Sequence, residues 1–317
     1  MSIKMKNLLT HLQHPNSTKD YQAEDEPDAI KISEYWGRRT YQNQKPKISF
    51  ELFPPKSDSA NKLLKKTHQK LSEINPDYFS VTFGALGLSQ NDTFDTVADL
   101  SENTKIPIIP HLTCVGIDKK QVTDLLDEYI AQGVNQIMVL KGDYPKTIIK
   151  KGDFNYANEM VEFIKENYLD INILVAAYPE KHPHSNCISK DIDFFVNKVN
   201  AGADKAVTQY FYNIDAYLHF IEEVQKRNID IPITPGIMPI TNYDQLIYFS
   251  KTCGAEIPAW ILNKLKLYKN DLNSLKEFGE DVVSEMCLKL KDNGVSSFHF
   301  YCLNKAEPTL SIVKKIT

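Results

Sequence analysis

The sequence lacks the features that mark several classes of protein. Its five cysteines are scattered, odd in number and form no C-x-x-C pair, which argues against a disulfide framework or a zinc site and favours a reducing compartment. No run of about 18 apolar residues is present, so no membrane-spanning segment is expected. The N-terminus also lacks the apolar core of a signal peptide. We therefore expect a cytoplasmic protein.

An excess of charge of one sign is also missing. The chain has 37 Lys and Arg residues against 41 Asp and Glu residues, for a net charge of −4, and no segment forms a basic stripe. Nucleic acid is therefore not expected as a partner. With 317 residues, 42% of them hydrophobic and 25% charged, the composition is typical of a globular protein with a substantial core.

The chain divides into two regions of different character. Residues 1–46 are polar, poor in branched aliphatic side chains, and end in a Lys/Pro spacer, so we predict an N-terminal extension there. From residue 47 to residue 317, short β-rich runs alternate with segments of helical periodicity. The β-rich runs are 47–53, 78–84, 106–113, 136–142, 172–178, 206–212, 231–237 and 297–303.

Eight such units over about 270 residues are typical of a (β/α)8 TIM barrel, which is the fold we predict for residues 47–317. A doubly wound open sheet is the alternative. No G-x-G-x-x-G follows any of the runs and no phosphate-binding G-x-x-x-x-G-K-[ST] is present, which disfavours it. About 60 residues separate the last two predicted strands, so more than one helix must lie there.

Polar side chains recur at the C-terminal ends of the predicted strands, where a barrel of this kind holds its active site. They are Glu51, Thr82, His111, Thr113, Lys141, Asp143, Tyr178, Glu180, Gln209, His299, Tyr301 and Asn304. The seventh strand instead carries Pro235 and Gly236, which leave room for a flat ligand against the backbone.

Glu51 is the most informative of these residues. Along the first strand Ile48, Phe50 and Leu52 share one face, and Ser49 shares the other face with Glu51. The second face would place the carboxyl group inside the barrel mouth, where loss of water raises its pKa. A glutamic acid that is protonated near neutral pH is what general acid catalysis requires. A buried ion pair with Lys or Arg is an equally good interpretation of Glu51 alone.

The other candidates also have structural interpretations. Asp143, in a G-D-Y-P segment, is compatible with a turn, and His111 with a core histidine. Gln209 suits either a buried structural amide or contact with a planar heterocycle. His182 and His184 suggest a metal pair, but no further ligand cluster has suitable spacing, so no metal site is predicted.

A series of motifs, taken in order, resembles the methylenetetrahydrofolate reductase family. They are FELFPPK, SVTFGA, PHLTC, VLKGDYP, AAYPEKHP, AGADKAVTQYFY, PGIMPITN, IPAW and FHFYCLNKAE, and together they extend from residue 47 to about residue 315. The resemblance implies a barrel that binds FAD non-covalently at its C-terminal end. NADH or NADPH would reduce the flavin and leave. Methylenetetrahydrofolate would then take its place and be reduced to 5-methyltetrahydrofolate, for methionine synthesis. Ping-pong kinetics and a homo-oligomer are the corresponding expectations.

The same resemblance implies roles for individual residues. Glu51 matches the general acid that protonates the leaving nitrogen, N10. Asp143 matches the Asp that contacts the pterin, tunes the flavin and favours a cationic iminium. Gln209 matches an amide that contacts folate and nicotinamide, and Phe249 an aromatic ring that stacks on the ligands. The expected substrate-binding residues are Gln209, Phe249, Tyr301 and Lys305.

The resemblance also implies an FAD site. Its expected members are Thr82, His111, Lys141, Asp143, Tyr178, Asp191 and Lys198. Lys198 would meet the pyrophosphate and Asp191 a ribose hydroxyl, which accounts for their place seven residues apart on one helix face. Lys141 and Lys305 stand where the family often carries Arg, whose two-pronged contact Lys cannot make. Affinity for the flavin or for the folate tail is expected to differ accordingly.

Two other functions stay open at this stage. One is a metal-dependent hydrolase on the same barrel that uses His111, the His182 and His184 pair, and His299. The other is a non-catalytic subunit that binds folate or flavin. The choice between NADH and NADPH also stays open.

Overall fold

The computed structural model of the protein describes residues 45–83, 90–142, 152–183, 185 and 187–317. The predicted N-terminal extension lies outside these residues except for Lys45 and Pro46. Asp143 and His184, which the sequence marked as candidate site residues, also lie outside them.

The described strands form one sheet in which every pair of neighbours is parallel. They are β1 (Lys47–Leu52), β2 (Tyr78–Val81), β3 (Ile108–Thr113), β4 (Gln136–Leu140), β5 (Asn172–Ala177), β6 (Lys205–Thr208), β7 (Ile233–Thr234), β8 (Gly236–Ile237) and β9 (Ser297–Tyr301). Strands β1 to β7 follow one another in sequence order, and β9 lies between β1 and β8.

The predicted seventh strand closes this sheet in two parts. Strand β7 pairs with β6, whereas β8 pairs with β9. Pro235 stands between the two parts and has no N–H to donate, so the ladder changes neighbour at this residue. Each half-strand thus joins one side of the seam, and the prediction of a (β/α)8 barrel is confirmed.

Helices connect the strands on the outside of the barrel. They are α1 (Asp58–Ser72), α2 (Gln90–Glu102), α3 (Lys119–Ala131), α4 (Ala157–Asn167), α5 (Ile188–Asn200), α6 (Ile214–Gln225), α7 (Tyr243–Cys253), α8 (Ala259–Leu267), α9 (Leu272–Asp292) and α10 (Thr309–Ile316). The long interval before the last strand holds α7, α8 and α9, as its length predicted. No helix in the described part of the chain combines the length and low polarity that a membrane crossing requires.

Local sequence explains where several helices begin and end. The side chain of Ser57 accepts the N–H of Ala60 at the start of α1, and Asp118 forms a capping box with Gln121 at the start of α3. Just beyond α3, Gly133 has a φ of 83°, a left-handed conformation that suits glycine and terminates the helix.

The strands bury apolar side chains on their outer face, and the lumen of the barrel has an apolar side and a polar side. On the outer side of the strands, Ile48, Phe50 and Leu52 pack within the main hydrophobic cluster beneath the helices. Inside the barrel, a smaller cluster fills one side: Ile109, Met138, Leu174 and Val207, with Tyr78, Leu140 and Tyr301 packed against it. On the β1, β2 and β9 side, the inner positions are polar instead and carry Ser49, Ser80 and His299.

Gly236 is required by the close approach at the seam. A Cβ atom there would lie 2.1 Å from the carbonyl oxygen of Thr208 and 2.5 Å from Cε2 of Tyr301. We expect Gly236→Ala to lower the free energy of unfolding by roughly 3 kcal/mol, because backbone and a buried ring must both move. Urea denaturation measures this change.

Gly133→Ala is the matched control for that substitution. No heavy atom lies within 4 Å of the added Cβ at this position, and only the φ of 83° is unfavourable. Its expected cost is about 1 kcal/mol. A cost for Gly236→Ala no larger than that of Gly133→Ala would contradict the steric argument.

Candidate active site

Glu51 lies near the end of β1, opposite Ser80 on β2 and Tyr301 on β9. Its side chain is only 22% exposed, and burial raises the pKa of its carboxyl group from 4.5 to about 8. Of the two interpretations left open by the sequence, the ion pair with Lys or Arg is absent among the described residues. Burial therefore favours the neutral form of this acid near pH 7.

A histidine lies beside that carboxyl group. Nε2 of His111 lies 3.8 Å from Oε2 of Glu51, beyond a normal hydrogen bond. His111 is buried, and desolvation lowers its pKa to about 3, so the imidazole is neutral. Its Nε2 has no hydrogen-bond partner within the described ranges. A protonated imidazole would lower the pKa of Glu51, whereas this neutral ring leaves that pKa raised.

A second histidine lies deeper, in the polar half of the lumen. Nδ1 of His299 lies 2.8 Å from the Ser49 hydroxyl, and its Nε2 lies 3.4 Å from that of Ser80. The ring of Tyr78 stacks on it with centroids 5.6 Å apart. Burial lowers the pKa of His299 to about 3. Both ring nitrogens are thus engaged, and His299 is not available as a metal ligand.

His299 was predicted from the sequence as a candidate site residue, but its contacts with Ser49, Ser80 and Tyr78 were not. Ser49 and Ser80 could have been found, because the alternation that points Glu51 inward points these two inward as well. Tyr78 could have been found in the same way, because it lies two residues before Ser80 and shares its strand face. Among the described residues, no group of three His, Cys, Asp or Glu side chains could hold a metal ion.

Gln209 follows β6 directly, and its backbone N–H donates to the carbonyl of Ala177. Its side-chain Oε1 accepts the N–H of Tyr210 at 3.0 Å, which fixes the orientation of the amide. Gln209 lines a cavity together with Tyr178 and Cys253. Gln209 therefore lies near Tyr178, an FAD-site candidate, and near Cys253, the last residue of α7.

The remaining substrate-site candidates differ in exposure. Phe249 is half-buried on α7, with its ring centroid 5.8 Å from that of Tyr248. Lys305 is exposed in the loop after β9. The hydroxyl of Tyr301 donates to the carbonyl of Thr208 at 2.7 Å, so it already has a partner within the barrel.

The FAD-site candidates extend along the ends of β2 to β5. Oγ1 of Thr82 is buried and has no hydrogen-bond partner in the described part of the chain. The ring of Tyr178 meets that of His182 edge-on, with centroids 4.7 Å apart. Lys141 is exposed, and its Nζ lies 5.2 Å from the ring centroid of Tyr156.

The Asp191 and Lys198 pair lies on α5, facing the end of β5. Oδ2 of Asp191 accepts the backbone N–H of His182 at 2.7 Å. Nζ of Lys198 donates to the carbonyl of Ala176. Burial lowers the pKa of Lys198 to about 8, and the nearby Asp191 acts in the opposite direction. A partly desolvated cation at this position suits an anionic ligand group.

These residues fit a large polar cofactor such as FAD. Thr82 and His111 each present a buried polar atom without a partner among the described residues, and buried polar groups without partners are rare in folded proteins. Lys198 adds a cation whose burial a phosphate would offset. Asp143, another member of the expected set, lies outside the described residues.

Comparison with known proteins gives the family. A sequence model of the family described as methylenetetrahydrofolate reductase matches residues 37–317. The chain is 38% identical over 270 residues to the 5,10-methylenetetrahydrofolate reductase of Buchnera aphidicola subsp. Schizaphis graminum, covering 85% of this chain and 91% of that protein. The chain belongs to the methylenetetrahydrofolate reductase family. It is therefore an oxidoreductase, as the motifs implied.

Two further relatives show how widely the similarity extends. The Escherichia coli (strain K12) 5,10-methylenetetrahydrofolate reductase is 33% identical over 265 residues, covering 84% of this chain and 88% of that protein. A protein of Oryza sativa subsp. japonica named probable methylenetetrahydrofolate reductase (NADH) is 31% identical over 283 residues. The match covers 85% of this chain but 48% of the rice protein.

Solved structures support the barrel fold. An uncharacterised protein from Clostridium thermocellum, described as binding two copies of 5-methyl-5,6,7,8-tetrahydrofolic acid, superposes with a TM-score of 0.62. The sequences are 16% identical, and the match covers 88% of this chain and 97% of that one. Oxaloacetate acetylhydrolase gives a TM-score of 0.50 at 10% identity, with 90% and 85% covered. At such low identities the likeness concerns the fold alone.

The raised pKa of Glu51 predicts a pH-dependent difference in stability. Between pH 4.5 and about 8 the folded protein keeps this proton and the unfolded chain loses it, so wild-type stability falls as pH rises. The Glu51→Gln variant has no carboxyl group at this position, so its stability does not fall with pH for this reason. We expect the unfolding free energy of Glu51→Gln, relative to wild type, to rise by about 1–3 kcal/mol from pH 5 to pH 8.

Denaturant titrations at several pH values measure this difference. The control is Glu162→Gln, at an exposed position of α4, for which the difference should stay flat. A flat or falling difference for Glu51→Gln would show that its carboxyl group is ionised in the folded protein at neutral pH.

Proposed function

We propose that this enzyme reduces 5,10-methylenetetrahydrofolate to 5-methyltetrahydrofolate with NADH or NADPH as the electron donor, in a ping-pong reaction that uses FAD. The observation that carries the proposal is Glu51, a neutral carboxylic acid in the barrel mouth with no cation beside it among the described residues. The names of the bacterial relatives support the folate substrate. The name of the rice relative supports NADH as the donor.

FAD, when bound, would take a hydride from the reduced nicotinamide and give it to the folate. The residues that would hold FAD are Thr82, His111, Lys141, Asp143, Tyr178, Asp191 and Lys198. In this proposal Lys198 supplies positive charge to the pyrophosphate. Thr82 and His111 supply the buried polar atoms that lack partners within the described residues.

Glu51 would supply the proton that opens the folate's five-membered ring. Its protonated carboxyl group donates to the leaving nitrogen, N10, and the ring opens to a cationic iminium. The pKa of about 8 means that Glu51 keeps this proton at neutral pH until a base is placed beside it. After donation the carboxylate is both buried and beside a cation. Asp143 would add negative charge that favours the iminium.

Gln209 and Phe249 would position both substrates in turn. The Gln209 amide has a donor side left, since its oxygen already accepts the Tyr210 N–H. Phe249, half-buried on α7, would stack on the bound ring. Lys305 would reach the folate tail from the exposed loop after β9. A shared position for nicotinamide and pterin is the physical reason for ping-pong kinetics, because the two cannot occupy it together.

The proposal predicts a separation of the two half-reactions in Glu51→Gln. In wild type, the visible flavin spectrum should bleach with NADH under anaerobic conditions and return with methylenetetrahydrofolate. In Glu51→Gln, bleaching should proceed at close to the wild-type rate. The return should slow by about 100-fold to 10,000-fold, because only that step needs the acid. Stopped-flow absorbance measures both rates.

Other outcomes of that experiment would count against the proposal. Equal slowing of both half-reactions would contradict the role of Glu51 as a general acid. A protein that is colourless and takes up no added FAD would contradict the proposed function itself.

Lys198 predicts a change in cofactor affinity. Lys198→Met should weaken FAD binding by about tenfold, since one charge-assisted contact to a phosphate is lost. Isothermal titration of the FAD-free protein measures the dissociation constant. Lys190→Met, at an exposed position of the same helix, is the control. Equal affinities for the two variants would show that Lys198 serves only the carbonyl of Ala176.

A further inference from the structure

Glu180, two residues after Tyr178, has no role in the reaction described so far. One of its carboxylate oxygens, Oε2, accepts the backbone N–H of Glu256 at 2.8 Å. The other, Oε1, is buried and has no hydrogen-bond partner among the described residues. The contact joins segments 76 residues apart, the loop after β5 and the loop after α7. The bond to the Glu256 N–H is therefore the hydrogen bond of this carboxylate in the described structure.

The same two loops meet at a second place. Gly254 ends α7 with a φ of 80°. A Cβ added there would lie 3.0 Å from Cγ of Pro183 and 3.2 Å from the carbonyl oxygen of Lys181. The C-terminal end of α7 therefore packs directly on the loop that follows β5. Glu180 provides the polar contact across this junction, and Gly254 allows the close approach.

A third contact ties α7 to the neighbouring strand. The hydroxyl of Tyr210, which follows β6, lies 3.1 Å from Oγ of Ser250 on α7. A small pocket is lined by several residues that make these contacts, and its lining includes Tyr178, Glu180, Gln209, Tyr210, Cys253 and Gly254. It thus connects a candidate FAD residue, the candidate substrate amide, and the helix that carries Phe249.

We propose that Glu180 is a positioning residue for the substrate site, whose contact with the Glu256 N–H holds the end of α7, and therefore Phe249, against the ends of β5 and β6. The identity of the substrates in this inference rests on the proposed function. The physical requirement is an acceptor of the right length at position 180. Burial raises the pKa of this carboxyl group to about 7, and the Glu256 N–H acts in the opposite direction.

Three substitutions at Glu180 distinguish the effect of side-chain length from the effect of carboxylate charge on the contact with the Glu256 N–H. Glu180→Gln keeps the length and an acceptor oxygen. Glu180→Asp keeps the carboxylate but is one methylene too short to reach the Glu256 N–H. Glu180→Ala removes the acceptor. Glu256→Ala is the matched control, because it changes an exposed side chain and leaves the backbone N–H in place.

The first readout is the alkylation rate of Cys253, which lines the cavity and is half-buried. Mass spectrometry of iodoacetamide-treated protein gives this rate, with the exposed Cys187 as an internal reference. Loss of one hydrogen bond should raise the rate at Cys253 by about twofold to tenfold in Glu180→Ala and Glu180→Asp. Glu180→Gln and Glu256→Ala should stay close to wild type.

The second readout is steady-state kinetics with methylenetetrahydrofolate. KM should rise by about the same factor in Glu180→Ala and Glu180→Asp, with kcat and FAD content nearly unchanged, because only the position of α7 is affected. Glu180→Gln should restore the wild-type KM. Recovery of the wild-type KM in Glu180→Gln distinguishes positioning by an acceptor from a general loss of packing.

Two results would overturn the inference. One is a Cys253 rate in Glu180→Gln as fast as in Glu180→Ala. The other is a wild-type rate in both Glu180→Ala and Glu180→Asp. If Glu180→Ala does not fold, the Gln and Asp pair carries the same test. If wild-type protein shows no folate turnover, the proposed function fails, and the alkylation result still decides whether Glu180 holds α7.

Discussion

The carboxyl group of Glu51 is largely removed from water, and the imidazole that lies 3.8 Å from it is kept neutral by burial. Such a position is unfavourable for an ion, so the group stays protonated. The arrangement depends on the surrounding barrel. Ser49 and Ser80 hold His299 through its two nitrogens, so polar groups line the lumen beneath the acid without introducing a charge.

The two sides of the lumen therefore differ in what they contribute. Its apolar side, built from Ile109, Met138, Leu174 and Val207, supplies packing. Its polar side supplies hydrogen bonds between neutral groups, which a low-dielectric interior tolerates when every member has a partner. Within the described residues, the polar atoms without partners near Glu51 belong to Thr82 and His111. Thr82 directly follows β2 and His111 lies in the C-terminal half of β3, and the C-terminal ends of the strands are where a barrel of this kind binds its ligands.

Much of the fold followed from periodicity. The sequence predicted that Glu51 points inward, because Ile48, Phe50 and Leu52 alternate with it. In the structure these three residues pack in the main hydrophobic cluster outside the strands. The eight β-rich runs became a closed sheet, and Gly133 ended its helix. The division of the seventh strand was not foreseen, although Pro235, which cannot donate to a ladder, was its local signal. The motifs predicted the family, which the comparisons confirmed.

Tertiary contacts between distant loops had no sequence signal. The bond between Glu180 and the Glu256 N–H depends on how two loops meet, and neither segment marks the other. The sequence placed Glu180 at a strand end without a role. It also did not show that Lys198 would donate to the carbonyl of Ala176, or that Asp191 would accept the His182 N–H. Such pairings depend on backbone positions that no residue pattern encodes.

The seam of the barrel changes how a tyrosine at position 301 should be interpreted. At this seam the Gly236 N–H donates to the hydroxyl oxygen of Thr208, and the Thr208 carbonyl accepts from the Tyr301 hydroxyl. Side chains thus replace ladder bonds where the seventh strand changes neighbour. A tyrosine retained at 301 among relatives would then record the need to close the barrel, and by itself it would say nothing about which ligand the barrel binds.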